Sequence, residues 1–243
     1  MCRHLAAVND ADCDPSWLLF DAPHSLRAQA RHPRHQTSGP DNPDGWGVAW
    51  YPPGAAEPER YRSVVSIWDD DAFVSRAASL RCRALIAAAR LASPGAELVE
   101  TGNAPFVSGQ WSFSLNGYVA DFRAGAGDAL RARVDPARLR QLEGDTDSEV
   151  LFALALDRIG AGAEPDGALA EVIALVTEIT KGRLNLLLTD GSAVYATAYG
   201  NSLFHLGSGL VASEPLDDQP AWRQLRDESR WRFDGAAVRE ASL

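Results

Sequence analysis

Two nearly unbroken apolar runs, "ALIAAARLA" at 84–92 and "LNLLLTD" at 184–190, most limit what this chain can fold into. A strand with one wet face alternates apolar and polar residues, whereas a strand covered on both faces reads as a continuous run. Each run therefore demands a sheet with a layer on either side. The second run continues as "LNLLLTDGSAVYATA", two β-type segments joined by Asp190-Gly191, which reads as a hairpin. Further strands are expected near 3–8, 46–51, 61–66, 112–119, 203–206, 209–213 and 236–240, with the two runs supplying 84–91, 184–189 and 193–198. Helices are expected at 15–20, 71–80, 146–160 and 167–180. The third of these has Thr146 or Asp147 as cap, an acidic first turn and Gly160 at its end. Its apolar residues Val150, Leu151, Leu154, Ala155 and Ile159 recur at helical spacing and form one buried face.

The stretch 32–45, "HPRHQTSGPDNPDG", reads as a loop, and 121–145 as an Ala/Gly/Arg-rich, partly helical connection. No repeat and no low-complexity linker divides the chain. The expectation is one α+β domain over 1–243, sheet against sheet with helices outside.

Charge removes some function classes. The 33 acidic residues outnumber 23 basic ones, giving net −10, which disfavours a nucleic-acid partner. Three cysteines, Cys2, Cys13 and Cys82, form no CxxC pair or disulfide framework, as in a reducing cytoplasm. No apolar run reaches the ~18–20 residues of a membrane span. The opening "MCRHLAAVNDADCD" turns acidic too early for a signal peptide. A soluble cytoplasmic protein is expected, with no membrane partner and homo-oligomerisation left open. The five histidines lack ligand spacing, so no metal and no cofactor are expected.

Cys2 is the first chemical candidate. Removal of Met1 would leave a thiol and a free α-amine on one Cα. The amine, with an ordinary pKa of ~7.7, is well matched to general-base work near neutrality. An oxyanion would need donors, and "SLNGY" offers the Asn116 amide and the Gly117 N–H, although Asn-Gly is also a common turn. Arg90, closing an apolar strand, suits a bidentate grip on a carboxylate or an internal salt bridge. Asp147 suits an ammonium or a helix cap.

Five short motifs occur in one order: MCRH at the start, D-G-W-G at 44–47, R-x-A-S at 90–93, N-G at 116–117 and T-D-S-E at 146–149. The set resembles the class II glutamine amidotransferases, a branch of the N-terminal-nucleophile hydrolases, across roughly the whole chain. Within that superfamily "MCRHL", "DAPHSLRAQA", "NPDGWGVAWY", "RLNLL" and "VASEPLDD" are most similar to the γ-glutamyl-hercynylcysteine S-oxide hydrolases of ergothioneine biosynthesis. The resemblance implies a four-layer αββα sandwich and a small γ-glutamyl substrate. It implies Cys2 as nucleophile with its own amine as base, and Asn116 with Gly117 as the oxyanion pair. Arg90 matches the residue holding the glutamyl α-carboxylate and Asp147 the one receiving the α-ammonium. Two positions depart from the pattern: Leu115 stands where many relatives have histidine, and Ser93 where threonine is usual, keeping a hydroxyl for the substrate.

The implied reaction is hydrolysis of the γ-glutamyl amide through a Cys2 thioester. The chain ends near 243, where an amidotransferase would need a further synthase domain. A glutaminase subunit feeding ammonia to a separate synthase is one alternative, and an inactive γ-glutamyl-binding protein another. The intact motif set argues against the last. For the trimethylammonium of the leaving group, the aromatic face of Trp46 beside Asp44 is one expected holder, packing of Trp46 under the sheet being the alternative.

Because the implied base is the Cys2 amine, protein retaining Met1 is expected to be nearly inert. Intact mass compared with specific activity checks this, and full activity in wholly Met1-retaining protein would rule that base out.

Overall fold

The computed structural model describes residues 2–243, the side chains of 10–12 excepted. From the N-terminus run β1 (Arg3–Cys13), α1 (Leu26–Arg31), β2 (Trp46–Tyr51), β3 (Glu59–Ser63), α2 (Asp71–Ala77) and β4 (Cys82–Ala89). There follow β5 (Phe106–Ser108), β6 (Trp111–Val119), α3 (Ala126–Arg131), α4 (Pro136–Leu139), α5 (Asp147–Gly160) and α6 (Pro165–Ile179). The C-terminal part holds β7 (Gly182–Thr189), β8 (Val194–Ala198), β9 (Phe204–Leu206), β10 (Leu210–Ala212), β11 (Arg223–Gln224), β12 (Ser229–Phe233) and β13 (Val238–Ser242).

These strands form two antiparallel sheets, one of seven in the order β11-β9-β10-β1-β4-β2-β3 and one of six in the order β13-β12-β8-β7-β6-β5. The apolar run of β4 explains itself once its faces are followed. Leu85, Ala87 and Ala89 point outward to Leu26 of α1 and Phe73 of α2. Ala84 and Ile86 point inward to Leu187 and Ala196 of the facing sheet. In β7, Leu186 and Leu188 pack outward on Leu151 and Leu154 of α5 and Val172 and Val176 of α6. The result is the four-layer αββα sandwich, with burial of each such side chain contributing roughly 1.5–3 kcal/mol. Tyr51 crosses between the sheets, its hydroxyl 2.9 Å from the carbonyls of Gln110 and Thr189.

Some boundaries differ from expectation. The segment expected as a helix at 15–20 winds a π-type turn at Trp17–Asp21, and the expected strand at 61–66 lies at 59–63 on the sheet edge. The short helix α1 falls outside the expected set. It has six residues, too few to show a period, and is started by Ser25, whose side chain accepts from Ala28 N–H. β12 was hidden because "SRWRF" sets arginines between its aromatics, and β5 is only three residues long. Among the described residues no helix is long and apolar enough to cross a membrane.

His4 lies fully buried where the sheets face each other, with Nδ1 3.2 Å from Ser114 Oγ. Burial, with the nearby Arg3 charge second, pushes its pKa down to about 3. An unfolded histidine titrates near ~6.5, so between these values the unfolded chain binds the extra proton. The contribution of neutral His4 is therefore complete above about pH 6.5 and is lost as pH falls toward 3. Denaturant titrations from pH 7.5 to 5 should show stability falling more steeply in wild type than in His4→Gln. The difference should approach ~1.4 kcal/mol per pH unit below the unfolded pKa; parallel curves would show that His4 titrates normally.

Candidate active site

The register of one strand pair assembles the first half of the site. β1 and β4 run antiparallel with Arg3 opposite Ala89, so the start of one strand abuts the end of the other. Cys2, just before β1, thus lies beside the segment that follows β4, its Sγ 4.0 Å from the carbonyl of Leu91. The facing sheet brings the end of β6, and the start of α5 closes the far wall. Cys2, Arg90, Ser93, Gly117 and Asp147 all line one cleft of about 780 Å³.

Arg90 is buried, yet it forms no ion pair among the described residues. Its guanidinium donates only to neutral acceptors, Asn103 Oδ1 and the carbonyl of Glu97, both at 3.3 Å. The internal salt bridge, one reading of this residue, is absent among those residues. Gly102 lets the chain pass close over the group: a Cβ there would sit 2.9 Å from Arg90 Nη1.

Asp147 does not cap α5, since Thr146 does so through its bond from Glu149 N–H. The Asp147 carboxylate instead accepts from Val119 N–H at 3.0 Å and Ser148 N–H at 2.7 Å, which aims it at the end of β6. It too has no cationic partner among the described residues. Burial raises its pKa, opposed by those two backbone hydrogen bonds; a bound ammonium would favour the charged form.

Asn116 and Gly117 lie inside β6 and are not a turn. Gly117 faces the cleft and passes tightly against β7, where an added Cβ would fall 1.8 Å from the carbonyl oxygen of Arg183. The Asn116 side chain is fully buried and, unlike its neighbours Leu115 and Gly117, is not among the residues that line the cleft. Its Nδ2 donates to Ser213 Oγ at 3.2 Å, and its backbone carbonyl accepts from Asn201 Nδ2 at 2.8 Å.

Two expected substrate contacts are not brought to the cleft. Trp46 points outward under the helical layer, fully buried against Phe20, Tyr61 and Phe73 at ring separations of 5.9, 5.5 and 5.2 Å. Its indole N–H donates to Asp70 at 2.9 Å. The aromatic cage expected there is thus corrected: this ring is core. Asp44 accepts from Ala92 N–H at 2.8 Å and donates its own N–H to the Arg90 carbonyl at 3.0 Å. It braces the Arg90 segment from behind and does not line the cleft.

Sequence reasoning assigned no role to Arg3, Ser213 or Glu214. Arg3 and Glu214 form a fully buried ion pair at 2.8 Å, and Arg3 Nε donates to the Cys2 carbonyl at 2.8 Å. Glu214 also accepts the backbone N–H groups of Arg34 and His35. The stretches "MCRHL" and "VASEPLDD" hold these residues, but their pairing spans 211 positions and has no local signature. No group of three or more His, Cys, Asp or Glu side chains able to hold a metal gathers among the described residues.

Comparison with known proteins shows the family. A family model for class II glutamine amidotransferases matches residues 18–207. The chain is 35% identical to the gamma-glutamyl-hercynylcysteine sulfoxide hydrolase of Mycobacterium tuberculosis, over 93% of this chain and 90% of that protein. It is 36% identical to the protein of the same name from Mycolicibacterium smegmatis, over 93% of each. A solved glutamine aminotransferase class-II domain protein from Silicibacter pomeroyi superposes with a TM-score of 0.73, at 25% identity and covering 99% of both chains.

As core, Trp46 should matter to stability. Trp46→Leu is expected to cost about 3 kcal/mol through lost packing and the loss of one of the two side-chain hydrogen bonds on Asp70, the Tyr61 hydroxyl keeping the other. Chemical denaturation measures the loss, and steady-state kinetics on the folded variant should give a nearly unchanged KM. Full stability with altered substrate preference would place the ring back at the site.

Proposed function

Because this chain belongs to the class II glutamine amidotransferases, we propose that it hydrolyses the γ-glutamyl amide of γ-glutamyl-hercynylcysteine S-oxide, releasing glutamate. One observation carries the reading. A buried guanidinium and a half-buried carboxylate, neither ion-paired among the described residues, line the same cleft as a cysteine thiol. Buried charges without counter-ions are costly. A free amino acid's carboxylate and ammonium satisfy both at once, and glutamyl chemistry supplies that pair at one end and a γ-amide at the other.

On this reading Arg90 holds the α-carboxylate and Asp147 the α-ammonium, fixing the amide carbon near Cys2. With Met1 gone, the Cys2 amine takes the thiol proton and the sulfur attacks the carbonyl. The Gly117 N–H and Asn116 amide stabilise the oxyanion. The amine returns the proton to the leaving nitrogen, a thioester remains, and water then releases glutamate. Ser93 supplies a hydroxyl on the cleft wall. The relatives' printed names support the leaving group, as does a cleft of about 780 Å³, which exceeds what a glutamyl group alone fills.

With Trp46 in the core, the trimethylammonium of that leaving group falls to the cleft rim. Tyr118, 44% exposed, lines the cleft, as does Asp121. Phe122 is the weaker candidate, since Arg131 already sits 4.9 Å over its ring.

Two measurements test the assignment. Arg90→Lys keeps charge but loses the fork, so kcat/KM should fall by ~2–3 kcal/mol of transition-state stabilisation, while Asp147→Asn should lose selection against N-acylated γ-glutamyl substrates. Unchanged kcat/KM in both variants would move the anchor elsewhere. Separately, wild type should prefer the N-trimethylated over the unmethylated substrate by about 2- to 30-fold, and Tyr118→Leu should not. Equal treatment of the two substrates by wild type excludes a cation subsite.

A further inference from the structure

Ser213 follows β10, is fully buried and uses all the hydrogen-bonding capacity of its hydroxyl. Its Oγ donates to the His4 carbonyl at 3.1 Å and accepts from His4 N–H at 3.0 Å. It also accepts from Asn116 Nδ2 at 3.2 Å. One hydroxyl therefore joins β1, the strand that follows Cys2, to the buried Asn116 amide of β6 in the facing sheet. Its own backbone is fixed as well: Ser213 N–H donates to the His4 carbonyl at 2.9 Å, and its carbonyl accepts from Ser202 Oγ at 3.0 Å. The next residue, Glu214, holds Arg3, which in turn holds the Cys2 carbonyl.

We propose that Ser213 is a positioning residue for the reaction: its hydroxyl orients the Asn116 amide relative to the Cys2 strand. An amide nitrogen has two hydrogens, and Ser213 fixes the direction of the second by occupying the first. Asn116 Oδ1 has no partner among the described residues, so the oxygen end does little to hold the group in place. Without the Ser213 hydroxyl, the side chain would be free to turn its oxygen toward a developing negative charge. Glutamyl binding, assigned to Arg90 and Asp147, would be untouched.

The inference rests on the proposed oxyanion role of Asn116, and a double-mutant cycle separates the two. Ser213→Ala should lower kcat by about 10- to 100-fold with KM changed less than threefold, since a mispositioned donor costs less than a deleted one. Asn116→Ala should lower kcat further, and adding Ser213→Ala to it should do nothing more. Independent, multiplying losses would overturn the positioning role while leaving Asn116 as a donor. An unchanged kcat in Asn116→Ala would overturn the oxyanion reading and this inference with it. Thermal unfolding of each variant accompanies the kinetics. If Ser213→Ala does not fold, the nearly isosteric Ser213→Cys, whose thiol is a weak hydrogen-bonding group, is measured in the same cycle and should show the same kcat loss.

Discussion

The antiparallel pairing of β1 with β4 is the constraint on which the site depends. With Arg3 opposite Ala89, the N-terminal strand lies in the middle of a seven-stranded sheet. A chain end is ordinarily free to fray, because it makes few contacts. Here it is flanked by β4 and β10, and Arg3 is locked to Glu214. A register slip of one residue would exchange the two faces of β1. His4 and Ala6 would leave the sheet interface, and Leu5 would enter it. The place of Cys2 is thus enforced by the strands on either side of β1 and by the Arg3–Glu214 pair.

That rigidity accommodates an electrostatic cost. Arg90 and Asp147 have no counter-ions among the described residues, whereas the neighbouring buried Arg3 has one. A folded protein gains nothing in stability from lone charges such as these, one buried and one half-buried. Their survival in the fold follows from elements that are secure without them: β4, with faces packed against two layers, and α5, capped by Thr146 and buried along one side. On the proposed reading, the energy withheld in folding is available to a zwitterionic ligand.

How much of this could be read from residues alone varies with the kind of signal. The layers were legible because "ALIAAARLA" and "LNLLLTD" lack alternation. That same lack of alternation concealed the facing of Trp46. In β2 the alternating sets are Trp46, Val48, Trp50 and Gly47, Ala49, Tyr51, and both are buried. With neither face wet, the period of two does not say which set meets the helices and which the facing sheet. Asp44 was misread for a related reason, since its carboxylate serves a backbone N–H at Ala92, 48 positions away. Cys2, Arg90, Gly117 and Asp147 do line one cleft, each at or near an element's end. The Ser213 and Glu214 links were invisible, because side chain to backbone bonds across more than 170 residues leave no spacing to detect.

The two ends of the cleft differ in construction, and the difference bears on how such a protein divides recognition. On the proposed reading, the end that takes the glutamyl group is built from groups at the ends of β1, β4 and α5, all held by the sheets and their covering helices. The other end is built from the connection between β6 and α5, where Asp121 adopts a left-handed conformation at φ 53° and is exposed. Its Arg123–Asp145 pair, 3.3 Å apart and more than half exposed, contributes little to rigidity. Loops on a rigid scaffold can change composition without disturbing the core. Recognition of the amino-acid head, as proposed, is therefore tied to the fold itself. On the same reading, choice of the group beyond the amide rests on that exposed connection, which itself carries none of Cys2, Arg90 and Asp147.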